Sequence, residues 1–265
     1  MATPNRWAIR DVAIASFFDL TTGELKLKLD TLKTSGLENT SSIVYAMGGR
    51  GNPKLVGFSS DKAAKFTLED AVFSNDLLAM LTGNDIVEGI TKVQHSEVVP
   101  VTTNSATLTY TPSAAGALIS VNKLNADGTK GKAITYAAST PTTDHYSVSS
   151  KTLTFGSSTF AAGESALVYY YTNSAADAKK IRNTTDKFAG TYRLVLDCLV
   201  RDIFYKKDYA AQIEVFNAKL DDSSWNLAMA NTGDPSTLSI PLEALKSPTS
   251  TDLYTMTIFD ESDLA

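Results

Sequence analysis

From Glu24 to Asp30 the chain reads Glu-Leu-Lys-Leu-Lys-Leu-Asp, a strict alternation of charge and leucine. Period two is the period of an extended strand, so Leu25, Leu27 and Leu29 share one face while Glu24, Lys26, Lys28 and Asp30 share the other. A helix would scatter these leucines around its axis. The same pattern returns at residues 191–202, with Tyr192, Leu194, Leu196, Cys198 and Val200 on one side and Arg193, Asp197 and Arg201 on the other. Such half-buried strands predict a mainly β fold. Residues 9–18 are strand-like, and Asp19-Leu-Thr-Thr-Gly23 lets them pair with residues 24–30 as a hairpin. Residues 42–47, 65–70, 209–216 and 253–259 extend the sheet, and residues 48–53 are a glycine-rich connection. One helix is signalled by Ser74 or Asn75 as N-cap, Leu77, Leu78 and Leu81 as packing stripe, and Gly83 as terminator. Residues 178–185 fit no single element.

Composition changes sharply in the middle. Between residues 97 and 172 only Glu97, Asp127, Asp144, Glu164, Lys123, Lys130, Lys132 and Lys151 are charged, and they cancel. The formal charge of −5 therefore lies in the flanks, as do all Arg, Trp, Met and Cys residues. This is the mark of an inserted domain, with a host built from residues 1–96 and 173–265. The insert carries short Ser/Thr-rich strands at 106–111, 118–124, 133–136, 146–149, 152–155 and 166–171, separated by turn residues. That density predicts a small sandwich, immunoglobulin-like in architecture, without the paired cysteines of an antibody domain.

Chemistry is thinly equipped. A lone Cys198 on an apolar strand face reads as packing rather than as a nucleophile, and it cannot form an internal disulfide. His95 and His145 read as surface histidines, since neither neighbourhood offers a nucleophile elbow. No carboxylate cluster completes a metal site, so no catalytic, cofactor-binding or metal residue is expected. Gly48-Gly-Arg-Gly-Asn-Pro-Lys54 has the glycines of a phosphate loop but lacks the Gly-Lys-Ser/Thr leading into a helix, which makes it a connecting or contact loop. Thr232-Gly-Asp-Pro235 reads as a turn. A pI near 5.1 argues against a nucleic-acid grip, which needs clustered Lys and Arg. No apolar run reaches the ~20 residues of a membrane span and residues 1–11 lack a signal-peptide pattern, so the expectation is a protein soluble in the cytoplasm when made, with no membrane insertion. Many strands imply open edges, which invite pairing with further copies.

The host residues resemble a known family. They are residues 10–18, Thr22-Gly-Glu-Leu-Lys-Leu, Gly48 through Gly57, residues 64–71, the helix 74–83, residues 218–225 and residues 232–240. In their order of hairpin, glycine loop, strand and short helix they are similar to the major tail tube proteins of tailed bacteriophages, especially those of Gram-positive hosts. The insert departs from the minimal fold and resembles the immunoglobulin-like decorations of some tube proteins. The resemblance implies a tail-tube β-sandwich or barrel with one flanking α-helix, hexameric rings stacked into a tube, and passage of DNA through the lumen into the host. It further implies a virion protein made in the host bacterial cytoplasm. Its partners would be copies of itself, the tape-measure protein, baseplate or tail-tip proteins and, in contractile tails, a sheath.

Six chains at −5 each give −30 per ring, and an acidic lumen would repel phosphate and let DNA slide. The lumen candidates are Glu24, Lys26, Lys28 and Asp30, alternatively Arg193, Asp197 and Arg201. Residues 32–42, read as a loop, and both termini are candidates for ring-to-ring contact, and the insert is expected to project radially. The competing reading is a two-domain β-rich adhesin or glycan-binding surface protein, monomeric in solution.

Overall fold

The structure, a computed structural model, describes residues 3–114, 118–223, 225–227, 236–248 and 250–264. The turn expected at 232–235 lies outside them. The chain opens with β1 (Trp7–Ile9), β2 (Ile14–Phe18), β3 (Leu25–Leu29), β4 (Leu32–Met47) and β5 (Lys54–Asp70), then α1 (Asn75–Thr82). There follow β6 (Val87–Glu88), β7 (Lys92–Pro100), β8 (Ser105–Thr107), β9 (Leu118–Leu124), β10 (Lys130–Tyr136), β11 (His145–Ser149), β12 (Thr152–Phe155), β13 (Ser165–Asn173) and β14 (Lys179–Lys180). The last strands are β15 (Thr191–Asp202), β16 (Asp208–Leu220), β17 (Leu238–Ala244) and β18 (Thr255–Phe259), ahead of a 3-10 turn at Glu261–Asp263. The fold is mainly β, with α1 the one α-helix among the described residues.

Two compact units divide the chain, residues 1–86 with 181–265, and residues 87–180. In the first, strands run in the order β3-β2-β15-β16-β17-β5-β4, with β1 also on β15 and β18 on β16. This sheet curls into a nearly closed barrel. Leu27 and Leu29 of β3 at one end share a core with Leu32 of β4 at the other, together with Phe17, Phe66, Leu68, Leu194 and Ile240. Ser35 Oγ on β4 accepts from Ala13 N at 3.1 Å, tying that end of the sheet to the segment before β2.

The helix packs Leu77, Met80 and Leu81 into that core, with Leu78 half-buried against it. Ser74 caps its start, its Oγ accepting from Leu77 N, and Gly83 ends it at φ 65°. A Cβ at Gly83 would stand 2.2 Å from the carbonyl oxygen of Phe188, so glycine is required there twice over, by dihedral and by space.

In the unit of residues 87–180 the order is β7-β13-β9-β10-β11-β12-β8. All pairs are antiparallel except β10 with β11. One core serves the whole path, with Val99, Val121, Leu153, Phe155, Val168 and Tyr170 at its centre. β6 and β14 pair antiparallel at its base, Glu88 opposite Lys179 and Val87 opposite Lys180. The unit is wider than the charge-poor stretch of 97–172, because β7 begins at Lys92 and pairs along nine residues with β13.

Three expectations are corrected. Leu25 is 53% exposed, not on the buried face with Leu27 and Leu29. Phe17 pairs with Leu27 but Phe18 with Leu25, so Lys26 is a bulged residue and Leu25 crosses to the face of Phe18. Residues 32–42 are not a loop but the first part of the sixteen-residue strand β4. Residues 9–18 are not one strand: Ile9 pairs with Val200 and Ile14 with Asp197, so four residues, Arg10 to Ala13, bulge out opposite Cys198 and Leu199.

Candidate functional site

β4 and β5 form a hairpin whose two halves differ in kind. In the proximal half, Lys65 to Asp70 of β5 pair with β17 as well as with β4, and Ala64, Phe66 and Leu68 are buried. Beyond Ala64, β5 pairs only with β4, and β4 has no partner on its other side among the described residues. The distal half is thus a two-stranded ribbon, and from Glu38 to Lys62 every residue is exposed except the half-buried Gly48. Its composition does not suit water. Val44 opposite Phe58 and Ala46 opposite Val56 lie on one face, with Ile43 and Tyr45 on the other. Val44 is 63% and Phe58 62% exposed. A ribbon apolar on both sides is marginal alone and marks a contact surface.

Local chemistry holds the ribbon in shape. At its root Ser42 pairs with Ser60 while Thr40 pairs with Ala63, and the bulge places Asp61 at φ 51°. Hydrogen bonds from Ser42 Oγ and Ser60 Oγ (3.0 Å) converge on Asp61 Oδ2 and hold its carboxyl below the usual range. Toward the tip, Lys54 Nζ lies 3.9 Å above the Tyr45 ring. Gly57, opposite Tyr45, leaves that ring room, since a Cβ there would meet it at 3.2 Å. The glycine loop is the tip itself, Gly49 at φ 85° and Gly51 at φ 82°, and an extended strand follows it rather than a helix.

The two sets of lumen candidates meet in part, through Lys28. Core-facing Phe17, Ala15, Leu194 and Leu196 leave Ser16, Phe18, Arg193, Val195 and Asp197 on the other face of β2 and β15. Lys28 pairs with Ser16 and Ser16 with Val195, so Lys28, Arg193 and Asp197 belong to one continuous sheet face. On β15, cross-strand partners engage the charges of this face: Arg193 Nε with Glu214 Oε1 at 3.1 Å, Asp197 Oδ1 with Gln212 Nε2 at 2.8 Å, and Arg201 Nε with Asp208 Oδ1 at 2.6 Å. Arg10 also pairs with Asp208. Lys26 sits at the bulge near Asp19 and Glu24, Glu24 closes the turn, and Asp30 lies beyond β3 beside a hollow at residues 11–14.

Cys198 is half-buried and its thiol is pushed up, first by burial and then by Asp197. Its nucleophilic thiolate is thereby disfavoured. His95 lies edge-on between the rings of Tyr110 (4.9 Å) and Tyr170 (5.5 Å), and His145 Nδ1 is 3.0 Å from the Thr143 carbonyl oxygen. His145 Nδ1 also lies 3.2 Å from Thr142 Oγ1. Among the described residues no group of three or more His, Cys, Asp or Glu side chains could hold a metal ion, and no helix is long and apolar enough to cross a membrane. The distal ribbon was missed as a unit in the sequence because exposure on both faces erases the alternation that reveals a strand.

A curled sheet with open end strands and a protruding apolar ribbon defines an assembling structural protein. The profile of the YomU/Tube protein family matches residues 7–256, through both units, and the chain belongs to that phage tail tube family. A search of curated proteins finds no match.

Proposed function

We propose that this tail tube protein forms hexameric rings that stack into a tube, the conduit for DNA on ejection into the host bacterium. The observation that carries this reading is the distal ribbon of β4 and β5, apolar on both faces and uncovered by the rest of the chain. Burial of apolar area contributes roughly 25 cal/mol per Å², so such side chains favour association strongly once a second copy reaches them. The open edges of β3 and β4 offer unpaired backbone groups in the same unit. Lys28 and Arg193 supply a charged, exposed stretch of sheet face suited to a lumen, and with Arg193 engaged by Glu214 a passing phosphate backbone finds few unengaged cations there. The tape-measure and tail-tip proteins would cap and gauge such a tube. Residues 87–180 form an immunoglobulin-like decoration outside it.

Negative-stain microscopy of the purified full chain tests the assembly. Hollow rods with sixfold end views are expected, whereas a monodisperse particle of single-chain mass would overturn the proposal.

A further inference from the structure

The ribbon has a chemically matched counterpart on the same chain. The bulged segment Arg10 to Ala13 leaves a hollow on either side, both lined by Asp11, Val12, Ala13 and Cys198. One, of about 330 Å³, is mainly apolar, with Ile9, Leu37, Leu196 and Ile213 in its wall and Lys33 at its rim. The other, of about 630 Å³, is lined by four carboxylates, Asp11, Asp30, Asp197 and Glu261. Residues 40–60 of the ribbon contain Arg50 and Lys54 and no acid. We infer that the distal β4–β5 ribbon of one copy docks on the bulged segment of the next, apolar side chains toward the apolar hollow and Arg50 and Lys54 toward the carboxylates.

The partner must be a second copy. β4 itself lines the apolar hollow at Lys33 to Leu37 and then runs away as extended strand. From Leu37 to Ile43 is six residues, roughly 20 Å at the rise of a strand, and the tip lies further still. A two-stranded ribbon that leads away from this hollow carries its tip off its own root. The contact is therefore heterologous, tip of one copy to hollow of another, which generates rings or filaments rather than closed pairs. Opposite charge at the two ends sets direction and speeds encounter.

This inference rests on the self-assembly proposed above, and charge exchange in the full chain tests it separately. One variant carries Arg50→Glu with Lys54→Glu, the other Asp11→Lys with Glu261→Lys. Each alone should lose about tenfold or more of its assembly, seen as sedimenting material, because like charges face each other. An equimolar mixture should regain it, since each tip then meets an opposite hollow. As a second readout, Lys54→Cys and Asp11→Cys are placed in separate, differently tagged chains carrying Cys198→Ser. Mild oxidation should give the mixed dimer in preference to either homodimer. Rods from wild type with no effect of either charge variant, or homodimers alone on oxidation, would overturn the docking and leave the tube standing. Absence of wild-type rods would overturn the tube, while a mixed dimer in that case would still support the docking.

Discussion

The hydroxyl of Tyr170 donates to Glu97 Oε1 at 2.6 Å, across the β13–β7 pair. The same carboxylate accepts from Thr109 N at 2.9 Å and from Thr109 Oγ1 at 2.6 Å, while the Tyr170 hydroxyl accepts from Tyr110 N at 3.1 Å. One fully buried tyrosine and one acid thus pin the segment after β8 to the sheet of the inserted unit.

Both groups are displaced from their ordinary pKa values, and the signs define a pH window. Burial pushes Glu97 up, but hydrogen bonds from Thr109 and Tyr170 outweigh it and the carboxyl lies below the usual 4.5. Burial, then the bond to Glu97, pushes Tyr170 from 10.0 up to about 12. The depressed acid contributes stability above its unfolded value that is lost as pH falls through the folded one; the raised phenol contributes stability below pH 10 that is lost on the way to 12. Protection of the β7 and β13 amides, taken relative to the intrinsic exchange rate at each pH, should be greatest between these limits. Glu97→Gln should lower stability by about 1.5–3 kcal/mol, the worth of hydrogen bonds to a charged group, and flatten the acid limb of the profile.

Gly83→Ala should cost about 2 kcal/mol or more, from the strain of a left-handed residue and from its Cβ meeting Phe188. Ser74→Ala at the other end of α1 should cost about 1 kcal/mol. Denaturant melts of both variants read the difference, and equal losses would show that the Phe188 contact gives way.

Val44→Asp with Phe58→Asp should separate folding from assembly. Both side chains are exposed, so the melting temperature of the unassembled chain should hardly move, while rods disappear from micrographs. A folded double variant that still makes rods would remove the ribbon from the contact.

Deleting residues 89–178 and closing Glu88 to Lys179 with Asn-Gly should leave a folded host that still forms tubes. The two ends already run antiparallel as neighbours, which is what a two-residue hairpin turn needs. A soluble product without rods would show that the inserted unit takes part in the ring.

What the sequence displayed were elements with one wet and one dry side. β15 and α1 could be read nearly residue by residue, since Leu194, Leu196 and Val200, or Leu77 and Leu81, keep the period of their element. Leu25 went astray because a single bulge at Lys26 turns the rest of the strand over, and no local residue announces it. Residues 32–42 lacked alternation, with Thr34, Ser35, Gly36 and Ser41 among them, and β4 is held there by its long pairing to β5 rather than by its own propensity. β17 was legible only as part of a resemblance, because Pro241 interrupts it while its neighbours pair with both β5 and β16. The hollows beside residues 10–13 depend on register between distant strands and leave no trace in linear order.

The antiparallel meeting of β6 and β14 gives this protein a socket. A guest fold with neighbouring termini could be grafted between Glu88 and Lys179 without rewriting any strand of the barrel. If copies repeat along a tube, so would the guest, at regular intervals, which makes the junction a ready place for displaying enzymes, epitopes or tags in an ordered array.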